Sequence, residues 1–323
     1  MRPSLTIAIP TFNRSESVVS AVNDALGVVS TQAISLLVID DGSSDDTAAG
    51  LAPFVDLGAR VLTNAQNRGY AETFCRIIRE AETEWVLVSA DDDRFDFSKL
   101  GELEQWLVQR QPHFVSTQWH HPEGYLFRGR KTTGPIKVRD LRASSSHAPG
   151  LIYQVSAARA ALPLLERHLA EGSAAAHAYP QVFVAAQLFT DSRAMWWSGS
   201  IVNGGADLPS GVRDGSERHY ADPQSRLSQA IDFDRAFRQL AQQDPSRAGR
   251  RRARTWQREH ELFIYPAVQA AVLSSNSTVD TTEFDHAMGR FVRRARWHRG
   301  VRAVPGVTGL LSWLRRIAAR NRH

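Results

Sequence analysis

Residues 85–93 have the sequence WVLVSADDD, in which a short apolar run ends abruptly in three acids. Such a run, bounded by charge, is typical of a strand that is buried on both faces. In open α/β sheets, ligands bind just beyond the carboxyl ends of the strands. Three adjacent carboxylates repel one another unless water or a cation neutralises them. The stretch therefore indicates either a solvated turn or a site for a metal ion and an anionic ligand.

The sequence on either side repeats the alternation of strand and helix. Further strands are predicted near 5–9, 34–39, 60–63 and 114–119, and the segments between them have apolar residues at helical spacing. This order predicts an α/β fold whose mostly parallel sheet is covered by helices on both faces.

From about residue 120 the pattern changes. Residues 124–137 are rich in Gly, Arg and Thr and are predicted to form a hairpin or a mobile loop. We predict a domain over 1–205, with a first half at 1–119 and a second half at 120–205. Residues 206–323 are predicted to be a helical, Arg-rich region.

The composition limits the class of protein. The net charge is +5, and lysine occurs only at Lys99, Lys131 and Lys137, so most of the positive charge is arginine. This bias fits bidentate binding of phosphates, and it fits a GC-rich genome equally well. The single cysteine, Cys75, excludes an intrachain disulfide and a Cys-based zinc site. Neither a secretory leader pattern nor a long apolar run is found, so we predict a cytoplasmic protein.

Polar loops follow three of the predicted strands, with the sequences PTFN at 10–13, DDGS at 40–43 and DDD at 91–93. An Asn-Arg-Gly turn at 67–69 precedes a predicted helix. In this order and spacing, the motifs resemble those of the family 2 glycosyltransferases with the GT-A fold, a Rossmann-like architecture. The resemblance covers about residues 4–95. It implies transfer of a sugar from a nucleoside diphosphate sugar to an acceptor hydroxyl.

The metal motif of that family is usually Asp-x-Asp-Asp, and Ala90 stands here where the first acid is expected. The resemblance implies that Asp92 binds Mg²⁺ or Mn²⁺. It also implies that Asp91 and Asp93 assist with the donor ribose or with a metal-bound water, Asp91 as part of the donor site and Asp93 as part of the metal site. A divalent cation would neutralise the charge that develops on the leaving diphosphate.

The resemblance also assigns a donor site. Asp41 is expected to accept a hydrogen bond from the nucleobase, although an acid before Gly42 also fits a simple turn. Arg68 and Gly69 are expected to approach the donor near a helix amino terminus, which favours anions. The base and ribose pocket is expected to be lined by Pro10, Thr11, Phe12 and Arg14, with a surface charge as the alternative for Arg14.

The catalytic base is less defined. Inverting members usually carry a Glu-Asp pair at a helix start in the second half, and the corresponding residues 177–181 contain no carboxylate. This form is similar to the abequosyltransferase-like subgroup. Three candidates for the base are His177, Asp207 and His147. Each has a structural alternative, as a helix-capping or core histidine or as a loop acid, and a retaining or oxocarbenium-like path would need none of them.

Residues 308–322 combine an apolar stripe with arginines, a pattern of helices that lie in a membrane surface. Packing on the core or in a homodimer is the alternative. The family resemblance implies a glycan or polyprenyl-linked glycan acceptor, bacterial surface polysaccharide synthesis and association with the inner face of the membrane. No nucleic-acid partner is expected.

Three other functions remain open. A sugar nucleotidyltransferase normally has a Gly-rich loop after its first strand, and 10–13 contains no glycine. A nucleic-acid-binding module is favoured only by net charge. A catalytically weak family member that acts as a basic scaffold would account for Ala90 and the missing base.

Overall fold

A computed structural model of the chain describes residues 4–29, 34–189, 193–205 and 223–274, with side chains described except at 28–29, 223–227 and 261–274. The strands are β1 Leu5–Thr11, β2 Ile34–Asp40, β3 Ala59–Thr63, β4 Trp85–Val88, β5 Asp93–Phe95, β6 Phe114–Ser116, β7 Trp119–His120, β8 Leu126–Arg128, β9 Gly134–Pro135, β10 Leu151–Gln154, β11 Ala194–Trp196 and β12 Val202–Gly204. The helices are α1 Ser15–Val29, α2 Thr47–Asp56, α3 Tyr70–Glu80, α4 Leu100–Arg110, α5 Leu141–Ser145, α6 Val155–Ala170, α7 Ala174–Ala178, α8 Pro180–Leu188, α9 Pro223–Gln243 and α10 Arg247–Ser274.

The central sheet of the described chain has the strand order β3-β2-β1-β4-β10-β6-β11-β9. Strands β3, β2, β1 and β4 are parallel, β10 runs antiparallel between β4 and β6, and β11 is parallel to β6. The predicted α/β fold with a mostly parallel sheet is thereby confirmed. The loops that follow β1, β2 and β4 emerge at one edge of the sheet, where ligands bind in such folds.

Apolar side chains cover both faces of the sheet. In β4, Trp85 and Leu87 pack with α1, α2 and α4, whereas Val86 and Val88 pack with α3, α6 and α8. All four are fully buried. Burying each of these side chains contributes about 1.5–3 kcal/mol or more. This two-sided burial explains why the strand is continuously apolar and why the first polar side chains appear only at its end.

Two strand boundaries differ from the predictions. A strand ending before Pro10 is wrong, because β1 continues through Pro10, which pairs with Ile39, to Thr11. β4 has by then ended its pairing with β1 at Ala8, so the proline lies where the ladder is incomplete. The single strand predicted near 114–119 is two strands, β6 and β7, with Thr117 and Gln118 between them. The Thr117 hydroxyl donates to the Gly150 carbonyl at 2.8 Å.

The helical region expected after residue 205 is confirmed where it is described. Phe233 of α9 stacks on Phe183 at 5.6 Å, and Trp256 of α10 packs edge-on against Phe189 at 6.2 Å. The Trp256 indole also donates to the Val138 carbonyl at 2.8 Å. These helices therefore share a core with residues 120–205, and the division at 205 stays a prediction.

Across the described ranges, none of the helices combines the length and the apolar character that crossing a membrane requires. The amphipathic segment 308–322 lies outside the described residues.

Candidate active site

The three adjacent acids at the end of β4 face three different surroundings. The Ser89 amide continues the ladder by donating to the Ala8 carbonyl at 3.0 Å, and the chain then turns. Asp91 and Asp93 are buried, and the side chain of Asp92 between them is 32% exposed. One tight turn therefore offers a single carboxylate to solvent and uses the other two inside the protein.

Asp91 joins the end of β4 to the end of β1. Its Oδ2 accepts from the Thr11 hydroxyl and its Oδ1 from Arg14 Nη1, both at 2.9 Å. Burial raises the pKa of Asp91 to about 6, although the Arg14 guanidinium and the Thr11 hydroxyl both favour the ionised form. Asp91 therefore holds Thr11 and Arg14 in place.

Asp92 carries the available carboxylate of the turn. Its nearest charged partner is Arg14, whose Nη2 is 3.6 Å from Asp92 Oδ2. Arg14 thus lies between Asp91 and Asp92 and contacts both, so it belongs to the site rather than to the general surface. The loop 10–14 and the acid turn form one charged cluster of two carboxylates and one guanidinium.

Asp93 faces the second half of the molecule. Its Oδ2 accepts from the Ala90 amide at 2.7 Å, and its Oδ1 accepts from Trp119 Nε1 at 3.3 Å. Burial raises the pKa of Asp93 to about 8. The buried guanidinium of Arg128 opposes that rise, and burial lowers the pKa of Arg128 to about 10. Both oxygens of Asp93 are engaged by the chain, which leaves Asp92 as the acid of this turn that faces solvent.

The acid turn offers few protein ligands for a divalent cation. Across the described residues, no three His, Cys, Asp or Glu side chains converge into a metal-binding group. Mg²⁺ does not need such a cage, because one or two carboxylates and substrate phosphates commonly complete its shell. The single exposed carboxylate of Asp92 fits a metal ion that is held jointly with a diphosphate.

Asp41 organises the loop after β3. Its Oδ1 accepts from Asn64 Nδ2 at 2.6 Å and from the Arg68 amide at 3.0 Å, and its Oδ2 accepts from the Gly69 amide at 2.8 Å. Gly69 directly precedes α3 and has a positive φ of 85°. Asp41 therefore fixes the backbone that leads into α3, which is more than the simple turn before Gly42 would require. The side chain of Arg68 is exposed.

The loops after β1 and β2 are interlocked. The Asn13 amide donates to Ser43 Oγ at 2.8 Å, and the Ser44 amide donates to Asn13 Oδ1 at 2.8 Å. Gly42 has φ 74°, and a Cβ there would lie 2.6 Å from the backbone of Gln66, so the turn accepts only glycine. Pro10 and Phe12, which are partly exposed, are carried on this frame.

The three base candidates have different placements. His147 packs against Trp119 with ring centroids 4.2 Å apart, and Trp119 contacts Asp93, so His147 is one ring away from the acid turn. His177 is exposed on the short helix α7. Asp207 lies outside the described residues, although a Cβ on Gly205, two residues before it, would lie 2.2 Å from the Asp92 carbonyl oxygen.

Sequence reasoning missed several residues of the site. Asn64 follows β3, so its position after a strand was a usable signal. Trp119, Arg128 and Asn203 carry no comparable signal, because they reach the site from β7, β8 and β12 through tertiary contacts.

The comparison with protein families decides the identity of this region. The family model described as glycosyl transferase family 2 matches residues 6–159, which include the acid turn, Asp41 and His147. Residues 6–159 of this chain belong to glycosyl transferase family 2. The matched residues run from within β1 to beyond β10, so the glycosyl transferase match includes the four adjacent parallel strands β3, β2, β1 and β4. No curated protein matches the chain.

Solved structures agree with the fold of this glycosyl transferase. The TarS 1–349 fragment from S. aureus, solved in complex with UDP-GlcNAc, is 16% identical with a TM-score of 0.65, over 91% of this chain and 81% of that one. The mannosyltransferase PcManGT from Pyrobaculum calidifontis, solved in complex with GDP-Man and Mn²⁺, is 16% identical with a TM-score of 0.50, over 94% of this chain and 83% of that one. At this identity the similarities show the fold. The abequosyltransferase-like subgroup stays a prediction.

Proposed function

We propose that the protein is a metal-dependent glycosyltransferase that moves a sugar from a nucleoside diphosphate sugar to a hydroxyl of a glycan or lipid-linked glycan acceptor. The observation that carries this proposal is the acid turn, where Asp92 alone is exposed beside Arg14 at the carboxyl edge of the sheet. The nucleotide sugars bound by TarS and PcManGT support the class of donor. A role in bacterial surface polysaccharide synthesis, at the inner face of the membrane, is the setting that the family resemblance favours.

The donor would bind across the loops that follow β1, β2 and β4. Asp92 would hold Mg²⁺ or Mn²⁺, which when bound neutralises charge on the diphosphate. Arg14 keeps its contact with Asp91 and adds positive charge on the same side. This arrangement favours a leaving group that gains negative charge as the sugar departs.

The nucleobase and ribose would lie along Pro10, Thr11 and Phe12. Asp41 Oδ1 already accepts two hydrogen bonds, whereas its Oδ2 accepts one, from Gly69, and a carboxylate oxygen has two lone pairs. We therefore assign the nucleobase N–H to Asp41 Oδ2. In this arrangement Asp41 both positions the loop before α3 and contacts the donor.

His147 is our choice among the three base candidates, because its contact with Trp119 brings it close to the acid turn. The acceptor hydroxyl oxygen would form a bond to the anomeric carbon as the bond to the diphosphate breaks. The hydroxyl proton would pass to His147, since a neutral imidazole accepts protons near pH 7.

A thermal-shift screen tests the proposal. The full chain is heated with UDP, GDP, dTDP, CDP or ADP, with and without Mn²⁺. A nucleotide at 100 times its Kd stabilises the protein by about 2.7 kcal/mol, which raises Tm. We expect at least one nucleotide to raise Tm, with a larger rise when Mn²⁺ is present. If none of the five changes Tm in either condition, the proposal is wrong.

A further inference from the structure

A line of five aromatic rings runs from the acid turn to the tip of the β7–β8 hairpin. It consists of His147, Phe127, Trp119, His121 and Tyr125. Trp119 has His147 at 4.2 Å, Phe127 at 5.4 Å and His121 at 6.4 Å, and His121 stacks on Tyr125 at 4.6 Å with 13° between the rings. We call this set the aromatic line.

The outer part of the aromatic line is exposed. Among the described side chains, the large hydrophobics left exposed fall into two kinds. Val55, Leu57 and Val108 are aliphatic and lie on or beside helices of the first half. The others are consecutive at the hairpin tip, namely Tyr125 at 49%, Leu126 at 39% and Phe127 at 54%. The exposed aromatic surface of the described chain is therefore concentrated at this one place.

The hairpin that carries these rings is held by hydrogen bonds. The His121 amide donates to the Tyr125 carbonyl at 2.9 Å, and the Gly124 amide donates to the His121 carbonyl at 2.7 Å. The Glu123 amide donates to His121 Nδ1 at 3.2 Å, which fixes that ring beside Tyr125. A surface held in this way loses little conformational entropy when a ligand binds.

The aromatic line is continuous with the acid turn. Trp119 Nε1 donates to Asp93 Oδ1 at 3.3 Å, and Asp93 is the first residue of β5, where it pairs with Gly204 of β12. A Cβ on Gly204 would lie 2.8 Å from the Trp119 ring, so the strand and the ring are in close contact. A ligand that lies along the rings would therefore extend towards the acid turn.

We propose that the aromatic line is the platform on which sugar rings of the acceptor glycan stack. Sugar rings present faces of C–H groups, and aromatic faces carry partial negative charge that attracts them. His120 and Asn203, in contact with each other at 3.1 Å beside the line, offer polar groups for sugar hydroxyls. The proposal rests on the proposed function and deepens it by naming the rings on which the acceptor would lie.

A lipid surface is disfavoured by the same patch. Leu126 is the single aliphatic side chain in the exposed run, and Glu123, with 76% of its side chain exposed, lies at the turn. An acid at the tip opposes contact with an anionic bilayer. Ordered, stacked rings also match the flat face of a sugar better than they match mobile acyl chains.

Saturation-transfer NMR on the full chain tests the platform. The probes are the methyl glycosides of glucose, galactose, mannose, rhamnose and N-acetylglucosamine, each added without nucleotide. We expect at least one glycoside to receive saturation, mainly at the C–H protons of one ring face. Phe127→Leu, which keeps apolar volume but removes the ring, should weaken that binding about tenfold, as should Tyr125→Ala. Val108→Ala is the matched control on an exposed hydrophobic elsewhere and should bind as the wild type does.

The outcomes separate the platform from its alternatives. If no glycoside binds the wild type, or if both ring variants bind as well as the wild type, the platform is wrong. Sedimentation with phosphatidylglycerol vesicles is measured in parallel, and vesicle binding that Phe127→Leu retains and Phe127→Ala loses, with sugar binding intact in both, would assign the patch to lipid. If a glycoside binds but no nucleotide raises Tm, the proposed function is wrong, whereas the assignment of the aromatic line as a sugar-stacking platform is retained.

Discussion

The two halves of the site are built from different interactions. Around the donor loops, polar groups bind one another directly, as where Asp91 accepts from Thr11 and Arg14 or Asp41 accepts from Asn64 and Gly69. On the acceptor side, aromatic rings stack along the β7–β8 hairpin and meet the acid turn through the Trp119–Asp93 hydrogen bond. The first half has fixed charge, and the second has exposed ring surface.

This difference matches what each half would bind. A nucleoside diphosphate offers a fixed pattern of charge and hydrogen-bonding groups, which a preorganised polar network can complement. A glycan offers C–H faces and hydroxyls, which rings and a few polar groups complement. Asp93 joins the halves, because one of its oxygens serves the acid turn and the other serves Trp119. Single substitutions can disrupt one half of the site while the other stays intact.

The largest effect is expected for Asp92→Ala. Losing the exposed carboxylate should lower the transfer rate by about 10³-fold, since preorganised groups that stabilise developing charge have effects of this size. The free energy of unfolding should change little, because the side chain is 32% exposed. Asp56→Ala removes an exposed acid from the end of α2 and is the control. A normal transfer rate in Asp92→Ala would contradict its role.

The comparison of His147→Ala with His177→Ala separates two of the base candidates. Removing a general base typically costs about 10²-fold or more in kcat, and we expect this loss for His147. His177, exposed on α7, should change kcat by less than about threefold, in line with ordinary surface substitutions. Initial rates at saturating donor measure both. A larger loss of kcat in His177→Ala than in His147→Ala would instead assign the base to His177.

A smaller effect is expected for Asp41→Asn. The amide would place an N–H donor against the amides that now donate to Asp41, so a buried donor is left unsatisfied at a cost of about 1–3 kcal/mol. Urea unfolding should show this loss, and titration with the responding nucleotide should show weaker binding. Asp56→Asn is the matched control. If neither stability nor nucleotide affinity changes, Asp41 neither fixes the loop before α3 nor contacts the nucleobase.

The smallest effect is a dependence of stability on pH. The pKa values of Asp91 and Asp93 are raised to about 6 and about 8 by burial, so between their ordinary value of 3.8 and these values the folded protein binds more protons than the unfolded chain. Their contribution to stability is present at low pH and is lost as the pH rises through 6 and then 8. Urea unfolding across this range should show the decline, and Asp93→Asn should flatten its upper part. An equally steep decline in that variant would exclude Asp93 as the source.

The donor half could be predicted from sequence because its residues directly follow strands. Asp41 directly follows β2 and Asp92 lies in the turn after β4, and the apolar runs before them locate the ends of those strands. The sequence could not show which of the three acids are buried and which one faces solvent. The residues are chemically identical, and only the conformation of the turn places Asp91, Asp92 and Asp93 in different surroundings. Asn64 was within reach of the same argument.

The acceptor half could not be predicted in this way. The folded chain brings together three rings, from β7, β8 and the loop before β10, namely Trp119, Phe127 and His147. Local periodicity in the sequence does not predict such tertiary contacts. Arg128 resembles any other arginine in the sequence, yet it is buried and donates to the Thr117 carbonyl at 3.2 Å. The strand boundaries of this half are also the hardest to predict, because strands of two or three residues are too short to show a periodic hydrophobic pattern.

In the proposed donor site, Asp92 and a divalent cation together bind a nucleoside diphosphate. Isothermal titration of the nucleotide that responds in the thermal screen measures this directly, in wild type and in Asp92→Ala, with and without Mn²⁺. We expect Mn²⁺ to tighten binding at least about tenfold in the wild type, which corresponds to about 1.4 kcal/mol, and to have no effect in the variant. Equal affinities in all four titrations would contradict this expectation.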